Sequence, residues 1–94
     1  MSIQSGVYRH YKGKLYMVEG ICKHSETLED MVRYRALYVD EKFGNYAEWV
    51  RPLSMFIDEI QMDKFTVSRF TKLSKEESNE VIKEEMLKFM IKGI

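Results

Sequence analysis

Apolar and polar residues alternate over short stretches for most of the chain, and only near the C-terminal end does the spacing become helical. Gly6–Lys12 reads as a short aromatic strand. Lys12-Gly13-Lys14 then reads as a tight turn, because Gly13 accepts positive φ without steric cost. Leu15–Lys23 is the clearest strand. Tyr16, Val18, Gly20 and Cys22 share one face by strict alternation, and Leu15, Met17, Glu19 and Ile21 the other, so both faces are partly apolar. Gly20 in mid-strand signals a bend or bulge. His24–Asp30 is polar and reads as a loop. Met31–Val39 alternates again, with Val32, Tyr34, Ala36 and Tyr38 on one face and Arg33 and Arg35 on the other. Gly44-Asn45, between Phe43 and Tyr46, is a hairpin-turn signal. Ala47–Arg51 is the next strand, stopped by Pro52, which lacks a ladder donor and extends the residue before it. Pro52–Phe56 reads as one helical turn, and Phe65–Phe70 as the last strand.

Beyond this point Ser74 and Glu77 form a capping box, with serine at the N-cap and glutamate three residues on. Acidic residues gather at the start of the predicted helix, and Lys88 and Lys92 near its end, as the helix dipole favours. Ile82, Met86, Phe89 and Met90 make one apolar stripe, which is expected to dock on the barrel. Leu87, Ile91 and Ile94 make a second. Its two readings are a homodimer interface and further cover for the same core.

Five short strands with one helical turn before the last predict a mainly β fold: a small SH3-like five-stranded β-barrel over residues 5–70, with an added C-terminal α-helix over 74–93. An OB-like barrel is the alternative. The 94 residues suit a single domain spanning 1–94. With 45% apolar residues and zero net charge, the chain lacks the composition of a disordered segment. Eight basic and seven acidic residues fall in 1–56, and seven and eight in 57–94, so no half carries the broad positive footprint of a duplex binder. One cysteine, Cys22, excludes an internal disulfide, and with two histidines it supplies no spaced metal-ligand set, so no metal or cofactor is expected. No apolar run approaches a membrane span or reads as a signal peptide, so a cytoplasmic protein without membrane association is expected.

Particular residues carry a resemblance. Gly6-Val7-Tyr8-Arg9-His10-Tyr11-Lys12-Gly13 is followed by Tyr16-Met17-Val18 and Gly20, and then by His24-Ser25-Glu26-Thr27-Leu28-Glu29. Val32-Arg33-Tyr34, Leu37-Tyr38, Trp49-Val50-Arg51-Pro52, Met55-Phe56 and Arg69-Phe70 complete the series. Over roughly residues 5–70 the chain resembles the bacterial family of domain of unknown function sixteen fifty-three. That resemblance implies a small β-barrel in a bacterial cytosol, and it implies no assigned activity or site residues. Cys22 stands where a small residue such as alanine is more common in the family.

The side chains able to carry chemistry are few. His24-Ser25-Glu26-Thr27 is suited to a polar ligand or to capping its own turn. Trp49 and Arg51 share a strand face, where an arginine can stack on an aromatic ring or offer its fork to a carboxylate or phosphate; Glu26 and Glu29 are its candidate internal partners. A non-catalytic binding module is therefore the leading reading, with its site at Tyr16, His24, Ser25, Glu26, Tyr34, Trp49 and Arg51, and His10 nearby. Its ligand is a small molecule, a peptide, a nucleotide or single-stranded nucleic acid. The alternative is a small enzyme or enzyme subunit acting on a nucleotide-like or acyl substrate, with His24 or His10 as acid/base and Glu26 as its partner. Glu19, Asp58, Glu59 and Asp63 match no cation-binding spacing and read as a solvated face.

Overall fold

The structure, a computed structural model, describes residues 3–92, with side chains described through residue 87. Its strands are β1 (Gly6–His10), β2 (Leu15–Lys23), β3 (Asp30–Ala36), β4 (Val39–Asp40), β5 (Gly44–Asn45), β6 (Glu48–Pro52), β7 (Glu59–Gln61), β8 (Thr66–Ser68) and β9 (Phe70–Lys72). The helices are α1 (Leu53–Phe56) and α2 (Lys75–Lys92). Five strands form one antiparallel sheet in the order β6-β3-β2-β1-β9, beside two small ribbons, β4-β5 and β7-β8.

Four of the five expected strands are present and the fifth is divided, but the expected closed barrel is not formed. β6 and β9 lie at opposite edges of the sheet, and no backbone pairing joins them among the described residues. Side chains take over there: Phe56 of α1 lies parallel to Phe70 of β9, with ring centroids 4.0 Å apart. The buried core is Tyr8, Val18, Val32, Tyr34, Phe56 and Phe70, with Ile3, Tyr16, Trp49 and Leu53 packed against it.

Strict alternation misplaces part of β2. Val18 pairs with Tyr34, and Gly20 with Arg33, so Glu19 is an extra residue in a bulge. Directly paired residues share a face. The bulge therefore moves Gly20 and Cys22 onto the face of Met17 and sets Ile21 opposite Val32 on the core side. Two turns also differ from the sequence pattern. Gly44-Asn45 is a short strand, because the Asp40 carboxylate accepts the N–H groups of Lys42 and Phe43, at 2.7 and 3.0 Å, and puts the turn one step earlier. The single strand expected over 65–70 divides at Arg69. Its N–H donates to the Asp58 carbonyl at 3.1 Å, and its guanidinium grips the Asp58 carboxylate through two bonds of 2.6 and 3.1 Å.

The capping box forms as expected: Ser74 Oγ accepts the Glu77 N–H at 3.2 Å, and the Glu77 carboxylate accepts the Ser74 N–H at 3.3 Å. The helix is rotated from its expected docking stripe. Ser78, Val81 and Glu85 are half-buried, whereas Ile82 and Met86 are exposed. The Tyr46 hydroxyl donates to the Glu85 carboxylate at 3.1 Å and holds that rotation, leaving Ile82 and Met86 at the margin of a groove with Met17 and Leu37. Leu87 is exposed; the side chains of Phe89, Met90 and Ile91, and all of Ile94, lie outside the described residues. No described helix is long and apolar enough to cross a membrane.

Phe56 is 1% exposed and Phe65 58% exposed. Phe56→Ala is expected to lower the unfolding free energy in urea by about 3–5 kcal/mol. Phe65→Ala is expected to change it by less than about 0.5 kcal/mol. Similar losses at the two positions would contradict the core described.

Candidate functional site

The inner face of the sheet brings aromatic side chains from four strands and α1 to one place. Tyr16 of β2 meets Tyr34 of β3 edge-on at 5.3 Å and Phe70 of β9 at 5.7 Å. Tyr34 meets Phe56 at 5.5 Å and Phe70 at 5.6 Å. His10, last in β1, stands across Phe70 at 4.9 Å and Tyr16 at 6.4 Å. These are the edge-to-face arrangements that the aromatic quadrupole favours. The hydroxyls of Tyr16 and Tyr38 lie 2.6 Å apart. Burial first, and then that hydroxyl, push the Tyr16 phenol well above the usual tyrosine value. Burial also raises Tyr34, against the charge of the Arg51 guanidinium beside it and a hydrogen-bonding interaction with that side chain.

Arg51 is the charged member of this cluster. Its register opposite Val32 directs it inward, and its guanidinium carbon lies 5.7 Å from the centre of the Phe70 ring. Its Nη1 is buried and has no hydrogen-bond partner among the described residues. Neither Glu26 nor Glu29 pairs with it there. A buried donor without a partner costs about 1–3 kcal/mol, so this nitrogen is a standing demand for an acceptor.

The predicted site thus divides. Tyr16, Tyr34, Arg51 and His10 come together. Trp49 packs at the edge of the core, with Phe43 edge-on at 5.0 Å. His24, Ser25 and Glu26 form a separate hairpin loop that bonds to itself. His24 Nδ1 accepts the N–H groups of Glu26 and Thr27, at 3.2 and 3.3 Å, and Thr27 Oγ1 accepts that of Glu29 at 3.2 Å. No described contact links this loop to Arg51. Phe70 and Tyr38 belong to the cluster although sequence reasoning did not assign them to the site. Arg69-Phe70 was visible as a motif, but the link from Tyr38 to Tyr16 spans 22 residues and leaves no local signal.

Elsewhere three acids of the sheet and its flanking turn are held by arginines. Arg35 holds Glu48 and lies 3.7 Å from Glu19, and Asp58 is held by Arg69, which keeps its carboxyl below the usual range. No group of three His, Cys, Asp or Glu side chains suited to a metal gathers among the described residues.

Fold and cluster define a small, mainly β protein whose open sheet curls round a buried aromatic centre holding one arginine. The chain belongs to the family described as a protein of unknown function (DUF1653), whose family model matches residues 6–72. It is similar to a crystal structure of a protein of that family from Bordetella bronchiseptica, with 29% identity, a TM-score of 0.68, and coverage of 77% of this chain and 88% of that one. No curated protein matches it.

Burial, and then the positive charges of Arg51, Arg69 and Lys12, hold His10 below the ordinary histidine value of about 6.5. Its Nδ1 accepts the Lys12 N–H at 3.2 Å, which requires the Nε2–H tautomer of the neutral ring. The unfolded imidazole binds its proton at the higher pH. The His10 contribution to stability is therefore complete above about pH 6.5 and is lost as pH falls through the folded value. Urea midpoints taken between pH 7.5 and 5 should fall less steeply for His10→Gln than for wild type; parallel curves would contradict this placement.

Proposed function

We propose that this protein is a non-catalytic recognition module whose ligand presents a carboxylate, phosphate or carbonyl oxygen to Arg51. The observation that carries this reading is the buried, unpartnered Arg51 Nη1 beside Tyr16, Tyr34 and Phe70. The rings supply flat apolar area, and the guanidinium supplies direction and charge. The strand order supports an SH3-like barrel left open at one seam, since four strands run as neighbours and the last returns beside the first. Small barrels of that kind present aromatic surfaces to extended ligands. Both histidines spend Nδ1 on backbone N–H groups of their own turns, an arrangement that favours binding over acid/base chemistry.

Trp49 lies on β6 two residues from Arg51 and serves as the reporter. Wild type and Arg51→Gln are titrated with a proline-rich peptide, mononucleotides and short single-stranded oligonucleotides, with far-UV circular dichroism as the check of folding. Wild type is expected to give a saturable fluorescence change with at least one class. Losing a charged hydrogen bond should weaken that binding about 10- to 100-fold in Arg51→Gln. Equal binding by the folded variant, or no response of wild type to any of the three, would overturn the proposal.

A further inference from the structure

We infer that His10 is the second donor of the Arg51 site, an extension that rests on the recognition reading above, and that the group this site takes is an oxyanion, a phosphate or carboxylate, rather than a lone carbonyl. The two side chains come from β1 and β6 and meet at one ring. The His10 ring centre lies 4.9 Å from that of Phe70, and the Arg51 guanidinium carbon lies 5.7 Å from it, while Phe56 covers Phe70 at 4.0 Å. His10, Arg51, Tyr16 and Tyr38 are each half-buried, so each keeps part of its surface open to solvent at the margin of the core.

The polar groups at this margin are short of acceptors. His10 Nδ1 already accepts the Lys12 N–H at 3.2 Å, so the neutral ring presents Nε2–H to a ligand. Arg51 Nη1 is a donor without an acceptor among the described residues. The hydroxyls of Tyr16 and Tyr38 lie 2.6 Å apart; one O–H is spent on the other oxygen, and the second remains to be given. The nearby acids are committed. Asp58 feels the charge of Arg51 but gives both oxygens to Arg69. Glu77 of α2 lines the groove beside His10 with Arg9 and Lys72, where it accepts the Ser74 N–H and is set against Arg9. A carbonyl oxygen would meet one of these donors and leave the others unmet. The several oxygens of a carboxylate or phosphate meet more than one, and their charge offsets that of Arg51.

Binding and protonation are then linked. Arg51, Arg69 and Lys12 act on His10, and the rings of Tyr11, Tyr16 and Phe70 pack around it. Burial and these cations disfavour the imidazolium, and an anion bound beside Arg51 favours it. The bound anion therefore raises the His10 titration midpoint, and by reciprocity the site holds an anion more tightly as pH falls.

The chain has two histidines, and His24, in its separate loop, serves as the internal control. The imidazole C–H resonances of both are followed by NMR from about pH 8 to 5 in sodium sulfate, sodium formate and sodium chloride at matched ionic strength, sulfate standing for phosphate and formate for carboxylate. Sulfate or formate is expected to raise the His10 midpoint by about half a pH unit or more over chloride, equivalent to about threefold tighter anion binding by the protonated form. The anion giving the larger rise names the ligand group. His24 should titrate alike in all three salts. The rise should vanish in Arg51→Met, and in His10→Gln the affinity for that anion, read from amide shifts, should no longer depend on pH; the wild-type comparison of the two histidines needs no variant to fold. A His10 midpoint unmoved by both anions while the Arg51 side-chain N–H resonances shift saturably would overturn the inference and leave the recognition reading standing. Equal rises at His10 and His24, or a rise that persists in Arg51→Met, would also overturn it. Silence of both His10 and Arg51 towards the anions would overturn it too, and the recognition reading falls with it only if the three ligand classes above also fail to bind.

Discussion

The parallel stack of Phe56 on Phe70 is the contact on which the rest of the structure depends. Phe56 follows the edge strand β6, and Phe70 belongs to the opposite edge strand β9. No backbone ladder joins those edges among the described residues, so ring packing holds the sheet in its curl. The stack also collects the remaining core. Tyr8 and Tyr34 pack edge-on against Phe56, and His10, Tyr16 and Tyr34 against Phe70. Pairs of this kind add about 0.5–1.5 kcal/mol each beyond the area they bury, a large sum for a small domain.

The same packing creates the tension at Arg51. The inward register on β6 sets its guanidinium near Phe70, where water is excluded from Nη1 and no described side chain or carbonyl replaces it. An apolar residue would fill that space without the desolvation cost. A half-buried group with one nitrogen held dry and unpaired at the margin of a core is the pattern of a binding residue, as strained or unsatisfied groups concentrate where function needs them. Charged groups elsewhere behave oppositely: Arg69 with Asp58, and Arg35 with Glu48, are satisfied by near neighbours.

Much of this was legible in the sequence. Four of the five sheet strands, the turn at Pro52–Phe56 and the capping box of Ser74 and Glu77 follow from period, proline and cap chemistry. So did the inward placement of Tyr16, Tyr34 and Arg51, because alternation alone sends them to one face. The failures have local causes. One extra residue, Glu19, inverts the second half of β2. An aspartate, Asp40, outcompetes Gly44-Asn45 for the turn. Tyr46 bonds Glu85 and rotates α2 away from the stripe that hydropathy singles out. His24-Ser25-Glu26 looked like a ligand loop because capping residues and binding residues are the same types; only the hydrogen bonds of His24 to its own turn separate the two.

The most direct measurement is the urea unfolding free energy of Arg51→Met against wild type, at neutral pH and without ligand. Methionine keeps the packing of the stem on Phe70 and removes the unpaired donor. If Arg51 is a binding group with an unmet hydrogen bond, the variant is expected to be as stable as wild type, or more stable by about 1–3 kcal/mol. A loss of about 3–5 kcal/mol, the cost of breaking a satisfied buried charge, would show that Arg51 serves the fold and would contradict its role as the centre of a binding site.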